Sequence, residues 1–359
     1  MRQVLVLALP GVGDALLTIP AIRRIKTAWP EAAVDVLVMF KAAEQALNTH
    51  PLIRTVFFHD FLKARVWDSL RLVGQLRAMK YDASMLAYPS NRSEYNVIQW
   101  MIGARRRGGH RYDHFDLRNL NFISTHAVRE DNALHNVEED LRLADLITGV
   151  PVPPSAEDRL EMVLTPEDEA FADQWLQSQG LGTKRLVGMH AGTAMFKNQV
   201  RRRWAPEKFA ALGKGLHADW GTPVLIFGGN EEAELKRTIA EGMGAGCHLV
   251  SGTTLRQTAA LIRRCSLFVS NDSGLMHMAA ALQVPCVTIF GPTSPARVQP
   301  YRAPHVVVRA GLPCSPCFFY SPRPLTCFAN LDFQCIRDIS VEMVRRAADE
   351  LARESGIGV

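Results

Sequence analysis

The feature that most constrains this chain is an alternation, run through twice, of short apolar stretches and segments with helical spacing. From residue 3 the order is "QVLVLAL", a helical pattern from about Ala15 to Ala28, "AVDVLVM", later "YDASMLAY", then "HNVEEDLRLADLI". A second series runs "RLVGMH", a helix from about Pro206, "PVLIFGG", a helix through "NEEAELKRTIAEG", "CHLVSG", "LRQTAALIRRC", "SLFVSND", "GLMHMAAAL" and "PCVTIFGP". Strands of near-continuous apolar residues separated by helices demand parallel sheets with helical crossovers. Ligands of such sheets sit beyond the carboxyl ends of the strands, so the informative residues are those that follow each apolar stretch.

The Pro-rich segment "GVPVPPSAED" (149–158) interrupts the periodicity and suits a domain boundary. We expect a first domain over 1–155, a second over 156–340 and a carboxy-terminal helix over 341–359. A length of 359 residues is enough for two sizeable cores. A hydrophobic fraction of 47% with 21% charged residues excludes the disordered and collagen-like classes. The net charge of +5 is a mild excess that favours anionic partners without demanding nucleic acid. Seven cysteines, an odd number unevenly spread, do not make a secreted disulfide scaffold, so a reducing, cytoplasmic setting is expected. No stretch approaches the roughly 20 apolar residues of a membrane-spanning helix. The opening "MRQVLVLALPGVGD" breaks at Pro10 without a cleavage pattern and is read as a buried strand.

Three polar loops follow strands of the second series. In "NDSGLMHMAAAL" (271–282), Asp272, Ser273 and Gly274 stand at a helix entrance with His277 in its first turns. Such an entrance either caps the helix or offers amides and dipole to a phosphate. "MHAGT" ends on Gly192 and Thr193, and "FGPTSPAR" contributes Thr293. Beside them, "FKNQVRRRW" supplies Lys197, Arg201, Arg202 and Arg203, of which a diphosphate leaving group needs at least one. In the first series, "PGVGD" lacks the third glycine of the dinucleotide fingerprint. Asp14 there is either a helix cap or a carboxylate available to take a proton from an acceptor hydroxyl.

Together "GVGDALLTIPAIRRIK", "MHAGT", "RRRWAPEKFAAL", "FGGNEEAE", "NDSGLMHMAAALQVPCVTIFGPTSP" and "CSPCFFYSPRPLTCFANLDFQC" resemble glycosyltransferase family 9, the ADP-heptose:lipopolysaccharide heptosyltransferases, over nearly the whole chain. The resemblance implies an α/β GT-B fold, two Rossmann-like doubly wound domains facing across a cleft, with acceptor bound by the first and nucleotide sugar by the second. It implies that Asp14 is the general base of an inverting transfer. Thr193, Ser273, Gly274, His277 and Thr293 would line the donor, Asp272 would lie by the sugar hydroxyls and Glu232 by the ribose. The family's lysine falls at Arg202, with Lys197 the other candidate for that phosphate work. No cofactor and no metal are expected, since the chain has no Asp-x-Asp pair to hold one. Cys314, Cys317, Cys327 and Cys335 have a spacing that a structural zinc could use, but are read as reduced thiols packed under a Pro-rich loop.

The implied partners are ADP-heptose and the lipopolysaccharide core, met at the inner membrane surface by a protein with no transmembrane segment and no nucleic-acid role. Arg92, Arg105, Arg106, Arg107 and Arg111, concentrated in "SNRSEYNVIQWMIGARRRGGHRYDH", are expected to meet that anionic acceptor as a group. The competing readings are a GT-B enzyme with another nucleotide sugar and a nucleotide-sugar binder without turnover.

Overall fold

The computed structural model describes residues 2–320 and 323–358, and the chain divides into two compact units. The first comprises residues 1–163 with Tyr320, the second residues 164–319 and the chain from Arg323. The division falls later than the residue-155 boundary expected from the Pro-rich segment, because residues 157–161 bind back onto the first unit. Arg23 donates to the carbonyl of Glu157 and the carboxylate of Glu161, both at 2.5 Å, and Arg24 pairs with Asp158 at 3.0 Å.

In the first unit the elements are β1 (Gln3–Ala8), α1 (Val12–Leu17), α2 (Ile19–Ala28), β2 (Ala33–Val38), α3 (Lys41–Leu47), β3 (Thr55–Phe58), α4 (Val66–Ala78), β4 (Ala83–Leu86), α5 (Ser93–Ile102), β5 (Arg106–Arg111), β6 (His126–Arg129) and α6 (Asn136–Thr148). The second holds α7 (Pro166–Ser178), β7 (Val187–His190), α8 (Pro206–Trp220), β8 (Val224–Phe227), α9 (Ala233–Met243), β9 (Cys247–Leu249), α10 (Leu255–Arg263), β10 (Leu267–Asn271), α11 (Gly274–Ala281), β11 (Cys286–Ile289), α12 (Pro295–Val298), β12 (His305–Val308), α13 (Gln334–Arg337) and α14 (Val341–Glu354).

Each unit carries one six-stranded, wholly parallel sheet. The orders are β3-β2-β1-β4-β5-β6 and β12-β11-β10-β7-β8-β9, which are the same doubly wound topology. In both, the strand order reverses beside the unit's first strand, between β1 and β4 and between β7 and β10. Loops leaving those strands diverge and leave a crevice for a ligand. The interior strands are buried on both faces, as their uninterrupted apolar sequences require. Leu5, Leu7, Leu37, Leu76 and Ile102 belong to the first core, and Val187, Ile226, Val269 and Phe209 to the second. The final helix α14 is part of that second core through Val344, Ala347, Ala348 and Leu351.

Two elements differ from the pattern expected of the sequence. The helix expected over Ala15–Ala28 is interrupted at Thr18, whose hydroxyl bonds the carbonyl of Ala15 at 2.7 Å. Pro20 then opens α2, where its missing N–H costs nothing. The basic run "RRGGHR" is strand β5, despite a composition that suits neither period. Its glycines make the strand possible, since a Cβ on Gly108 would lie 2.2 Å from Ile147 Cδ1 of α6. Helix packing, not strand propensity, places that residue.

Candidate functional site

In the second unit the site forms around the reversal between β7 and β10. Both strands are apolar and end on polar residues, His190 and Asn271, so the sheet itself delivers those side chains to its carboxyl edge. Asn271 Nδ2 donates to the carbonyl of Ala191 at 2.7 Å, and its Oδ1 accepts the Trp204 amide at 3.1 Å. One buried amide thus ties the loop after β7, the turn before α8 and the end of β10 together.

Across the crevice runs a chain of buried hydrogen bonds. His190 Nε2 lies 3.1 Å from Glu232 Oε2, and His190 Nδ1 lies 2.9 Å from Ser273 Oγ. A carboxylate only accepts, so an imidazole proton is on Nε2. Ser270 Oγ, 3.1 Å from Ser273 Oγ, donates onward to the Asn271 carbonyl at 2.7 Å. Burial alone would raise the Glu232 carboxyl. The hydrogen bond and charge of His190, the Arg203 guanidinium at 3.3 Å and the Gly229 amide at 3.2 Å outweigh it and hold the group below its ordinary value. Gly192 is required beneath this carboxylate, because a Cβ there would lie 1.7 Å from Glu232 Oε1.

Ser273 occupies the N-cap of α11, yet its side chain makes no capping bond among the described residues. It is turned to His190 instead, and Gly274 begins the helix partly exposed. The first amides of α11 and its positive dipole end are therefore left for an anion. Asp272 is not the cap either, since it pairs with Arg202 at 2.7 Å. His277 is buried in the same turn, its imidazole pushed down to about 4 by burial, opposed by Asp272 and reinforced by Arg202. It is neutral at pH 7, and its Nδ1, like the hydroxyl of buried Thr293, has no partner among the described residues. Buried polar atoms without partners at a strand-end crevice are where a polar ligand supplies the missing bonds.

The three consecutive arginines part company. Arg201 pairs with Asp332, Arg202 with Asp272, and Arg203 donates to the Thr193 carbonyl at 2.8 Å as well as approaching Glu232. Thr193 spends its hydroxyl on the Gln199 carbonyl at 3.0 Å, so it shapes the loop. Lys197 stands half-buried in that loop with a left-handed backbone (φ 51°), its carbonyl accepting the Leu325 amide. His190 was not among the expected site residues, and Arg203, one of the four cations offered for the diphosphate, serves Thr193 and Glu232 instead. His190 carries a legible signal, the last residue of a strand beside the reversal, but it reads equally well as the end of an apolar run.

In the first unit, Asp14 lies in the first turn of α1, directly after β1. Gly11, not Asp14, is the N-cap. Burial opposes the ionisation of two neighbours, Tyr95 and Asp140, and the Asp14 carboxylate opposes it further. Asp140 is fully buried in α6; burial first, then Glu139 and Asp14, hold its carboxyl well above the usual range. Its Oδ1 accepts the Tyr88 amide at 2.8 Å, and Oδ2 has no partner among the described residues. Tyr88 stacks on Tyr112 (centroids 5.5 Å) and meets His110 and Tyr320 edge-on. After β4 the loop is fixed by buried amides: Asn121 and Asn119 donate to Asn91 Oδ1 at 2.9 Å, and Asn96 donates to Asn121 at 2.7 Å.

The five arginines expected to act together do not form one patch. Arg92 follows β4 and N-caps α5, 5.7 Å from the Tyr95 ring, and Arg111 ends β5, held to Asp116 at 2.7 Å. Both are on the carboxyl edge with Asp14. Arg105, Arg106 and Arg107 are at the start of β5, about 13 to 20 Å from Arg111 by the strand's rise. There Arg106 donates to the Ile147 carbonyl at 2.6 Å and Arg107 to that of Ala104 at 3.2 Å, which satisfies chain ends rather than a ligand.

The four late cysteines line one cavity of about 60 Å³ with Pro292, Leu312 and Phe333. They are free thiols, and among the described residues no group of three or more His, Cys, Asp and Glu side chains is arranged to hold a metal ion. No helix among the described residues is long and apolar enough to cross a membrane.

Several known proteins are similar to this chain. Lipopolysaccharide heptosyltransferase 2 of Salmonella typhimurium is 26% identical over 319 residues, 86% of this chain and 88% of that protein. The crystal structure of a glycosyl transferase family 9 protein from Veillonella parvula matches with a TM-score of 0.78 at 23% identity, over 98% of this chain and 97% of that one. The structure of E. coli ADP-heptose lps heptosyltransferase II matches with a TM-score of 0.74 at 22% identity, over 99% and 100%. At these identities the structures show the fold, two Rossmann-like units of the GT-B class. The profile of glycosyltransferase family 9 (heptosyltransferase) matches residues 69–324, and with most of its length so covered this chain belongs to that family.

Proposed function

We propose that the chain transfers a heptose from ADP-heptose to the inner core of lipopolysaccharide, with inversion. The observation that carries this reading is the open end of α11. Its N-cap hydroxyl is engaged elsewhere, its first amides are available, and Arg202, His277 and Thr293 stand around it. That arrangement suits the diphosphate of a nucleotide sugar. The substrates are those named for its relatives, ADP-heptose and lipopolysaccharide.

In this reading the Asp14 carboxylate takes the proton of an acceptor hydroxyl as its oxygen attacks the anomeric carbon. The bond from that carbon to the β-phosphate oxygen breaks, and ADP leaves with its added charge held by the α11 amides and the cations Arg202 and Lys197. This chain's own groups meet the leaving group's charge, so no metal is assigned to that step. Ser273 and Gly274 hold the diphosphate, Thr193 shapes its loop, and Asp272 is retained beside the sugar. Glu232 acts by holding His190, and any contact with the ribose adds to that role. Arg92 and Arg111 are the acceptor arginines. The protein works from the cytoplasmic side, at the inner membrane surface.

Calorimetric titration of the purified chain with ADP and with UDP, in chelator, tests the donor. Binding of ADP and not UDP is expected; preference for UDP, or loss of ADP binding on adding chelator, would discard it.

A further inference from the structure

Outside these sites, the segment leaving β3 exposes more apolar surface than any packing role explains. Leu62, Val66 and Trp67 are 68%, 71% and 79% exposed, and Leu70 follows on the same side of α4. Trp67, Leu70 and Arg71 stand at i, i+3 and i+4 and so form one stripe, while Val73 and Leu76 fill the core. Lys63, Arg65 and Arg71 are exposed among these apolar residues. The two nearby acids offset them little: Asp60 folds back onto the amides of Leu62 and Lys63 at 3.1 and 3.2 Å, and Asp68 lies in the first turn of α4, where the helix dipole partly balances it.

We propose that this segment, Leu62 to Arg71, is the surface by which the protein docks on a bilayer with anionic headgroups. Its composition suits an interface and not a second protein core. A tryptophan and short aliphatic side chains enter the headgroup boundary, while lysine and arginine stems lie along it with their charges on phosphates. Its place in the fold agrees. β3 is parallel to β2 and β1, so the segment leaves the same sheet edge as Asp14, two strand spacings or about 10 Å away. An acceptor carried on a lipid would then meet the unit's base at the docked edge. This last point rests on the lipopolysaccharide reading; the surface itself does not.

The test is flotation of the full chain with vesicles of phosphatidylcholine alone and of phosphatidylcholine with phosphatidylglycerol. The wild type is expected to float with the anionic vesicles and poorly with the neutral ones. Val66→Ser with Trp67→Ser should lower partitioning about tenfold. Lys63→Glu with Arg71→Glu should abolish the preference for phosphatidylglycerol, since each basic residue near such a surface is worth roughly fivefold. These side chains are exposed, so unchanged melting and ADP titration confirm folding. Flotation of both variants equal to wild type would overturn the proposal. So would a wild-type dimer in sedimentation that Trp67→Ser dissolves, because the patch would then be covered by a second copy. Failure to bind ADP with patch-dependent flotation would sink the donor reading alone, and the converse would sink the surface alone.

Discussion

The two strand-order reversals have one topology and opposite electrostatics. At the crevice of the second unit every buried charge has a partner: Asp272 has Arg202, and Glu232 has His190 and Arg203. At that of the first, Asp14 stands near a buried carboxyl, Asp140, that no cation compensates among the described residues, amid the rings of Tyr88, Tyr95 and Tyr112. In the proposed function the paired site holds the diphosphate, with its donors aligned before the ligand arrives. At the first, burial and the like charges of Glu139 and Asp14 favour the protonated form of Asp140. In the proposed function the same scaffold is thus divided between holding and reacting by a handful of strand-end residues.

The largest effect that would break this division is at Asp14. Asp14→Asn should lower transfer by a factor on the order of hundreds or more while ADP binding by calorimetry is unchanged. Turnover equal to wild type would remove the base from the first unit. In the second unit, Arg202→Met leaves Asp272 buried without its cation and should cost about 3 kcal/mol in thermal or denaturant unfolding. ADP affinity should fall along with stability; a loss of stability without a loss of ADP binding would make the pair merely structural. His190→Ala, which strips Glu232 and Ser273 of their shared partner, should cost about 2 kcal/mol and weaken ADP binding less than Arg202→Met.

The pH response sharpens the contrast, because the two buried carboxyls shift in opposite directions. The Glu232 pKa is lowered in the fold, so its contribution is complete above the unfolded value of about 4.3 and is lost as pH falls through the folded value. Asp140 is raised, so its contribution is complete below about 3.9 and is lost as pH climbs through the folded value. Asp140→Asn keeps an acceptor for the Tyr88 amide, and its melting temperature should decline less than wild type between pH 5 and pH 8. An unchanged decline would mean that the buried carboxyl is compensated. The smallest effect belongs to Arg105→Ala, exposed at the far edge of the sheet, which should change stability by less than about 0.5 kcal/mol and leave the acceptor KM alone. Arg111→Ala should raise that KM.

The sheets were legible because their strands are buried on both faces, and apolar runs such as "QVLVLAL" and "PCVTIFGP" have little else to form. Strand β5 was hidden because its stability comes from α6 filling the space above Gly108, a contact between residues far apart in sequence. The α11 entrance was visible as Asp-Ser-Gly before a helix, yet which residue would cap it was not, since that depends on His190 arriving from another strand. The arginines misled for a related reason: five basic residues close in sequence lie at both ends of one strand, and sequence proximity does not preserve a face across an extended segment.

Asn271 couples the loops of the second crevice to one another. Its single side chain fixes the distance between the loop after β7 and the turn entering α8, while its own backbone leads into the Asp-Ser-Gly turn. The loops of the second crevice therefore cannot adapt one at a time. Loss of that one amide would release the β7 loop, the entrance to α8 and the approach to the Asp-Ser-Gly turn together, so the three form a single mechanical unit.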